Sequence, residues 1–319
     1  MKHEFKITAI VVTMFLITQL IGLLIVSLYT PIIIQEEIDG ELVNVTKNPV
    51  PYGVEPPETD AEISLISIIM AFIIAVAIVM LLTHFKVAFF LKAWFFVVVT
   101  LVLGISINAL LFKFIEGSFI LLTIGIEYSH LIALVIALPL AVSKIYRRNL
   151  YVHNLTELLI YPGIAVIFVP LLNLWSIIVL LILISVYDMW AVWHSGLMQK
   201  MAKYQMNELK VFAGFFVPYL TKEQREKLKK EKKKGKKTKK MNVSVAILGG
   251  GDVVFPIITA GVILRAYSLF PALIVSFSSV IALAGLLLLA KKKKFYPAMP
   301  FISAGLFVGI FISKLFGLI

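Results

Sequence analysis

Gly249-Gly250-Gly251-Asp252 interrupts an apolar run, Asn242 to Leu264, that is long enough to cross a bilayer. Each glycine weakens a helix by about 1 kcal/mol against alanine. A carboxylate far from either end of a membrane span costs roughly 2.5 kcal/mol or more. A chain that keeps both side by side has two explanations. Either the glycines pack against a neighbouring helix beside a locally satisfied acid, or the acid is used.

The rest of the composition sets the class. Of 319 residues, 60% are hydrophobic and 15% charged, and the mean hydropathy is +0.98. A soluble domain is about half apolar and a quarter charged, so this is a polytopic membrane protein. The net charge of +12 does not imply nucleic acid, because fifteen of the 30 Lys and Arg lie between Lys200 and Lys240. The absence of cysteine excludes disulfides, thiolate catalysis and Cys-based metal sites. The run from Ile7 to about Ile34 is too long for a signal-peptide core and lacks a small-residue cleavage site. It reads as a retained first span.

Nine apolar runs reach span length, roughly 7–33, 63–83, 93–112, 118–142, 155–171, 174–195, 242–264, 267–290 and 296–318. The acidic, proline-rich loop 35–62 reads as extended and weakly structured. With the N-terminus inside, the cytoplasmic segments hold 26 Lys and Arg and the outer segments four. Leaving out 200–240, the ratio is still 11 to 4. The positive-inside rule therefore places the N-terminus in the cytoplasm and the C-terminus outside. Three regions follow: spans one to six in 1–199, a basic cytoplasmic loop in 200–240, and spans seven to nine in 241–319. Within the loop, residues 200–220 alternate apolar and basic side chains, as in a segment lying among lipid headgroups. The lysine tract 221–240 is too charged to pack and is expected to be disordered. Its solvated charge suits a topology determinant and anionic lipid.

The ionisable residues well inside the runs are Glu127, His130, Asp188 and Asp252. Glu127 and His130 are three apart and would pair on one helical face in a structural role. Glu157 and His194 lie near run ends, within reach of headgroups or water. Asp188 lies roughly 10 Å from the cytoplasmic end of the sixth run and Asp252 roughly 15 Å from that of the seventh, at helical rise. Consecutive spans run antiparallel and are often neighbours. Two acids at similar depth would then share a proton, one as general base toward water and the other as general acid toward a carbonyl oxygen. The glycines before Asp252 would let a substrate backbone approach closely.

Tyr187-Asp188, Gly249-Gly250-Gly251-Asp252 and Pro297-Ala298-Met299-Pro300 resemble the YD, GxGD and PAL motifs of the presenilin and signal peptide peptidase family of intramembrane aspartyl proteases. The flanks agree, with Met189-Trp190-Ala191-Val192 and Gly196-Leu197-Met198 after Asp188, and Phe255 and Gly261 after Asp252. The deduced orientation matches presenilin and is opposite to that of signal peptide peptidase. The resemblance implies an all-α, nine-helix fold with Asp188 and Asp252 as the catalytic pair. It places Tyr187, Gly249, Gly250, Gly251, Pro297, Ala298, Met299 and Pro300 beside the substrate, which would be a transmembrane helix of a protein or peptide. It calls for no metal and no cofactor, and for an integral protein of an archaeal cell membrane. Met299 stands where the family pattern has leucine, a swap that keeps size and polarity. The loop between the catalytic spans is shorter than in presenilin, so self-cleavage there is not expected.

The same residues fit other readings. Pro297 and Pro300 also fit a plain helix start after Lys291–Lys294. The buried acids also suit an ion or proton-coupled transporter or leak channel, although no internal repeat is visible. Prepilin peptidases carry a GxGD aspartate too, with fewer spans and without the YD and PAL context.

Overall fold

A computed structural model describes residues 5–38, 41–47, 49–54, 65–71, 73–74, 77–78, 88–111, 118–121, 124–147, 149–195, 213–219, 244–290 and 296–319. The lysine tract 221–240, expected to be disordered, lies outside the described residues. Among the described residues, nine helical segments follow the nine apolar runs. They are α1 (Phe5–Leu28), α2 (helical over 65–71, 73–74 and 77–78), α3 (Ala88–Leu111), α4 (Tyr128–Val142), α5 (Leu150–Phe168), α6 (Leu174–Trp190), α7 (Gly250–Ala266), α8 (Leu269–Leu289) and α9 (Met299–Leu315). Six helices among the described residues are long and apolar enough to cross a membrane: Phe5–Leu28, Phe89–Leu111, Tyr128–Arg147, Leu150–Leu171, Leu174–His194 and Leu269–Leu289. The outer faces carry exposed Leu20, Trp94, Val135, Val186 and Ile281. In water such a surface would be a liability, but against lipid it is the matching solvent.

Polar residues set the helix starts. Asn149 caps α5 by accepting from the Tyr151 N–H, and Asn173 caps α6 by accepting from the Ser176 N–H. Helix α7 is the most enclosed, with Val253, Ile257, Ala260 and Ile263 at 0% exposure. It packs against α1, α5, α6, α8 and α9. Small residues allow the closest approaches. Gly309 of α9 lies against Val275 and Ser278 of α8. Gly163 of α5 leaves no room for a Cβ, which would strike the Val102 carbonyl oxygen of α3. A backbone atom cannot rotate away, so Gly163→Val is expected to destabilise the protein by about 1–3 kcal/mol. A lowered denaturation midpoint in detergent would register it.

Among the described residues, three pairs of short antiparallel strands lie between the helices. They are β1 (Ile32–Ile38) with β2 (Glu41–Lys47), β3 (Ser118–Leu121) with β4 (Ile124–Glu127), and β5 (Gly214–Tyr219) with β6 (Ser244–Gly249). Each corrects a sequence expectation. Residues 32–38 and 41–47, read as weakly structured loop and span end, are paired strands. The run 118–142 is not one helix: its first part is a hairpin, rich in Phe, Ile and Leu, and α4 starts only at Tyr128. Glu127 therefore ends a strand and does not share a helical face with His130. The run 242–264 splits as well. Ser244–Gly249 is a strand, registered Gly214↔Gly249 and Phe216↔Ile247 against β5, and the helix begins at Gly250. Strand propensity in Val245 and Ile247 and poor helix propensity in the glycines act together there.

Candidate active site

Asp252 stands three residues after Gly249, the residue that caps the start of α7. Its carboxylate folds back toward the Gly249 N–H, the way an acid at this position closes a capping box. A Cβ on Gly249 would lie 3.2 Å from Asp252 Oδ2. The acid expected deep inside a long helix thus occupies a helix's first turn, where unpaired N–H groups and the macrodipole favour negative charge.

Asp188 lies near the C-terminal end of α6, where its own helix dipole is unfavourable. A different helix compensates. Met299, the first residue of α9, donates its N–H to Asp188 Oδ2 at 3.1 Å. The Pro297–Pro300 segment therefore brings a helix N-terminus to the first acid, as Gly249–Gly251 does for the second. Ser185 Oγ donates to Ser303 Oγ at 2.9 Å and ties α6 to α9 one turn away. Asp188 is 8% exposed and Asp252 is half-buried. The two carboxylates lie within electrostatic range of each other. Beyond Asp188 the helix widens into a π-turn over Ala191–Ser195. Tyr187 is 37% exposed and its ring stands 6.3 Å from that of Trp190.

The glycines differ in their surroundings. A Cβ on Gly250 would meet the Tyr161 ring at 3.0 Å. On Gly251 it would meet only Phe255, at 3.7 Å. Strand β6 leads straight into this motif. Among the described residues its one partner is β5, and its exposed side chains are Val245 and Ile247.

Several residues at the site escaped sequence reasoning. Tyr161 of α5 is 1% exposed, stacks edge-on with Phe215 at 5.5 Å, and presses on Gly250. Gln19 of α1 donates to the Val253 carbonyl at 3.1 Å, one residue past Asp252. Glu157, expected near headgroups, is 1% exposed and paired with Lys144 at 2.6 Å. Helix α5 begins at Leu150, earlier than its apolar run, and this carries Glu157 two turns inward. The spacing of His153, Glu157 and Tyr161, four residues apart on one face, was the available signal. His130 belongs elsewhere: Tyr52 N and Asn108 Nδ2 each lie 3.0 Å from its Nε2, an arrangement that holds the 51–53 turn against the bundle.

A family model described as signal-peptide peptidase, presenilin aspartyl protease matches residues 12–319. No curated protein sequence gives a match. Two solved structures share the fold, both of a presenilin family intramembrane aspartate protease. The one in space group C222 has a TM-score of 0.58 at 17% identity, over 97% of this chain and 99% of that one. The one in space group P2 has a TM-score of 0.58 at 18% identity, over 96% of each chain. The match of that family model across almost the whole length means that this chain belongs to the signal-peptide peptidase and presenilin aspartyl protease family.

Proposed function

We propose that Asp188 and Asp252 are the catalytic pair and that the protein hydrolyses peptide bonds within transmembrane helices. The observation that carries the reading is the convergence of the two carboxylates, each at a helix N-terminus, beside a strand that ends at one of them. Like charges so placed cannot both ionise cheaply, so one acid stays protonated. The ionised carboxylate takes a proton from water as the oxygen bonds to the scissile carbonyl carbon. The protonated carboxyl gives its proton to the carbonyl oxygen, producing a neutral tetrahedral diol. As the diol collapses, one of its hydroxyls returns a proton to the carboxylate that had given its own, the C–N bond breaks, and the other carboxyl passes the proton it took from water to the leaving nitrogen, leaving an acid and an amine.

The substrate helix must unwind to expose its carbonyl. Strand β6 has an edge, through Val245, Ile247 and Gly249, on which an extended segment can pair. The pairing restores backbone hydrogen bonds that unwinding would otherwise leave unmet in lipid. Tyr187, Gly249–Gly251 and Pro297–Pro300 border that segment, with the N-terminus of the chain on the cytoplasmic side.

Incubation with a labelled single-span peptide, with and without an aspartyl protease inhibitor that mimics the tetrahedral state, tests the reading. Cleavage within the span, blocked by the inhibitor, is expected. Aspartate-dependent ion flux in liposomes, with every offered helix left intact, would overturn it in favour of an ion pathway.

A further inference from the structure

Lys144, His153 and Glu157 form a buried ionic cluster, at 7%, 8% and 1% exposure. Lys144 Nζ donates to Glu157 Oε1 at 2.6 Å and lies 3.3 Å from His153 Nδ1. An ammonium has only donors, so Nδ1 accepts and the ring proton sits on Nε2. That Nε2–H donates to the Gly214 carbonyl at 2.8 Å. Glu157 Oε1 accepts the Gly214 N–H at 3.3 Å. Two side chains one helical turn apart therefore hold both backbone groups of a single residue. Asn154 does the same for Phe216: its Oδ1 accepts from the Phe216 N–H at 3.0 Å and its Nδ2 donates to the Phe216 carbonyl at 2.8 Å.

A buried ion pair is poor evidence of stabilisation, since apolar residues of similar volume often serve as well. What this cluster supplies beyond packing is a fixed row of donors and acceptors along a strand edge. That strand is β5, whose other edge pairs with β6. Gly214 stands opposite Gly249, and the Ala213 carbonyl accepts the Gly250 N–H at 3.3 Å. Asp252 follows two residues later.

We propose that Lys144, His153, Asn154 and Glu157 are positioning residues that occupy the outer edge of β5 as a third strand would. They hold Gly214 against Gly249 and so fix the start of α7 and the Asp252 carboxylate. With that edge closed, an incoming strand can join this sheet, among the described residues, only along β6, which leads into Asp252. The inference rests on the reading of Asp252 as one of the catalytic pair.

Two double variants of the full-length protein separate grip from charge. Lys144→Met/Glu157→Leu removes both charges and the acceptor for Gly214. Lys144→Met/Glu157→Gln removes both charges and keeps the acceptor. Both are assayed on the labelled single-span peptide beside the wild type and Asp252→Ala. The leucine double is expected to lose at least about tenfold in kcat with KM within about twofold, because a displaced reacting group slows the step more than it weakens binding. The glutamine double is expected to recover to within about threefold of the wild type. Equal kcat in the two doubles, with cleavage abolished in Asp252→Ala, overturns this inference alone. Cleavage that survives in Asp252→Ala overturns the catalytic reading and this inference with it. If the leucine double does not fold, His153→Leu against His153→Gln makes the same comparison at the Gly214 carbonyl, and equal kcat there overturns the inference.

Discussion

Asp252→Ala and Asp188→Ala are each expected to abolish cleavage of a single-span peptide, by at least about a thousandfold in kcat, with the fold in place. General acid or base catalysis by one group contributes about 10²–10⁴-fold, and in the proposed mechanism each acid depends on the other for its protonation state. Loss of either leaves a lone carboxyl that can give or take a proton but cannot do both in one step. The asparagine variants sharpen the test. Asp188→Asn keeps an oxygen to accept the Met299 N–H, so α6 and α9 stay joined. Asp252→Asn keeps an oxygen facing Gly249. Neither can act as general base. For Asp188→Ala, the freed Met299 N–H is buried and its loss of a partner costs about 1–3 kcal/mol. A modest drop in the denaturation midpoint is therefore expected there and not in Asp188→Asn. Full activity in any of the four would sink the assignment, and loss confined to the alanine variants would point to a structural role for the acids.

The parts of this architecture that were legible in the sequence are those governed by local cost. Hydropathy set the class and located the apolar runs, because lipid admits few alternatives to apolar helices. Asp188 and Asp252 stood out because an acid inside such a run is expensive wherever its partner lies. The strands were not legible for the opposite reason. Ser244–Gly249 is apolar and short, and periodicity alone does not separate a buried strand from a helix start. Its partner, Gly214-Phe215-Phe216-Val217-Pro218-Tyr219, sits inside a basic loop and is recognisable as a strand only once β6 and the face of α5 are beside it. The burial of Glu157 is hidden for the same reason: its partner is Lys144, reached from the π-turn after α4. The meeting of Met299 with Asp188 spans 111 residues of sequence, and no local property of either announces it.

Gly251→Val is expected to leave the protein as stable as the wild type, yet to lower kcat/KM for the peptide by roughly a hundredfold. The three glycines before Asp252 look alike in sequence and differ in space. At Gly250 a side chain would push against Tyr161, which is buried, and at Gly249 it would crowd Asp252 Oδ2 itself. Substitutions at those two positions disturb the resting site. Gly251 is exposed in the first turn of α7 and a Cβ there meets nothing nearer than Phe255 at 3.7 Å. Packing gives no reason for glycine at this position, and in a helix its replacement by alanine should stabilise by up to about 1 kcal/mol. Valine forgoes part of that gain through its stiff χ1. A residue that the resting fold does not need is explained by the state in which a substrate backbone lies against it. The graded series Gly251→Ala, Gly251→Val and Gly251→Leu, read for denaturation midpoint and for kcat and KM separately, decides the matter. Falling kcat/KM at a constant or rising midpoint places the substrate over Gly251. Unchanged kinetics through leucine would show that the peptide bond approaches Asp252 from another side, and the strand-pairing pose on β6 would then be wrong.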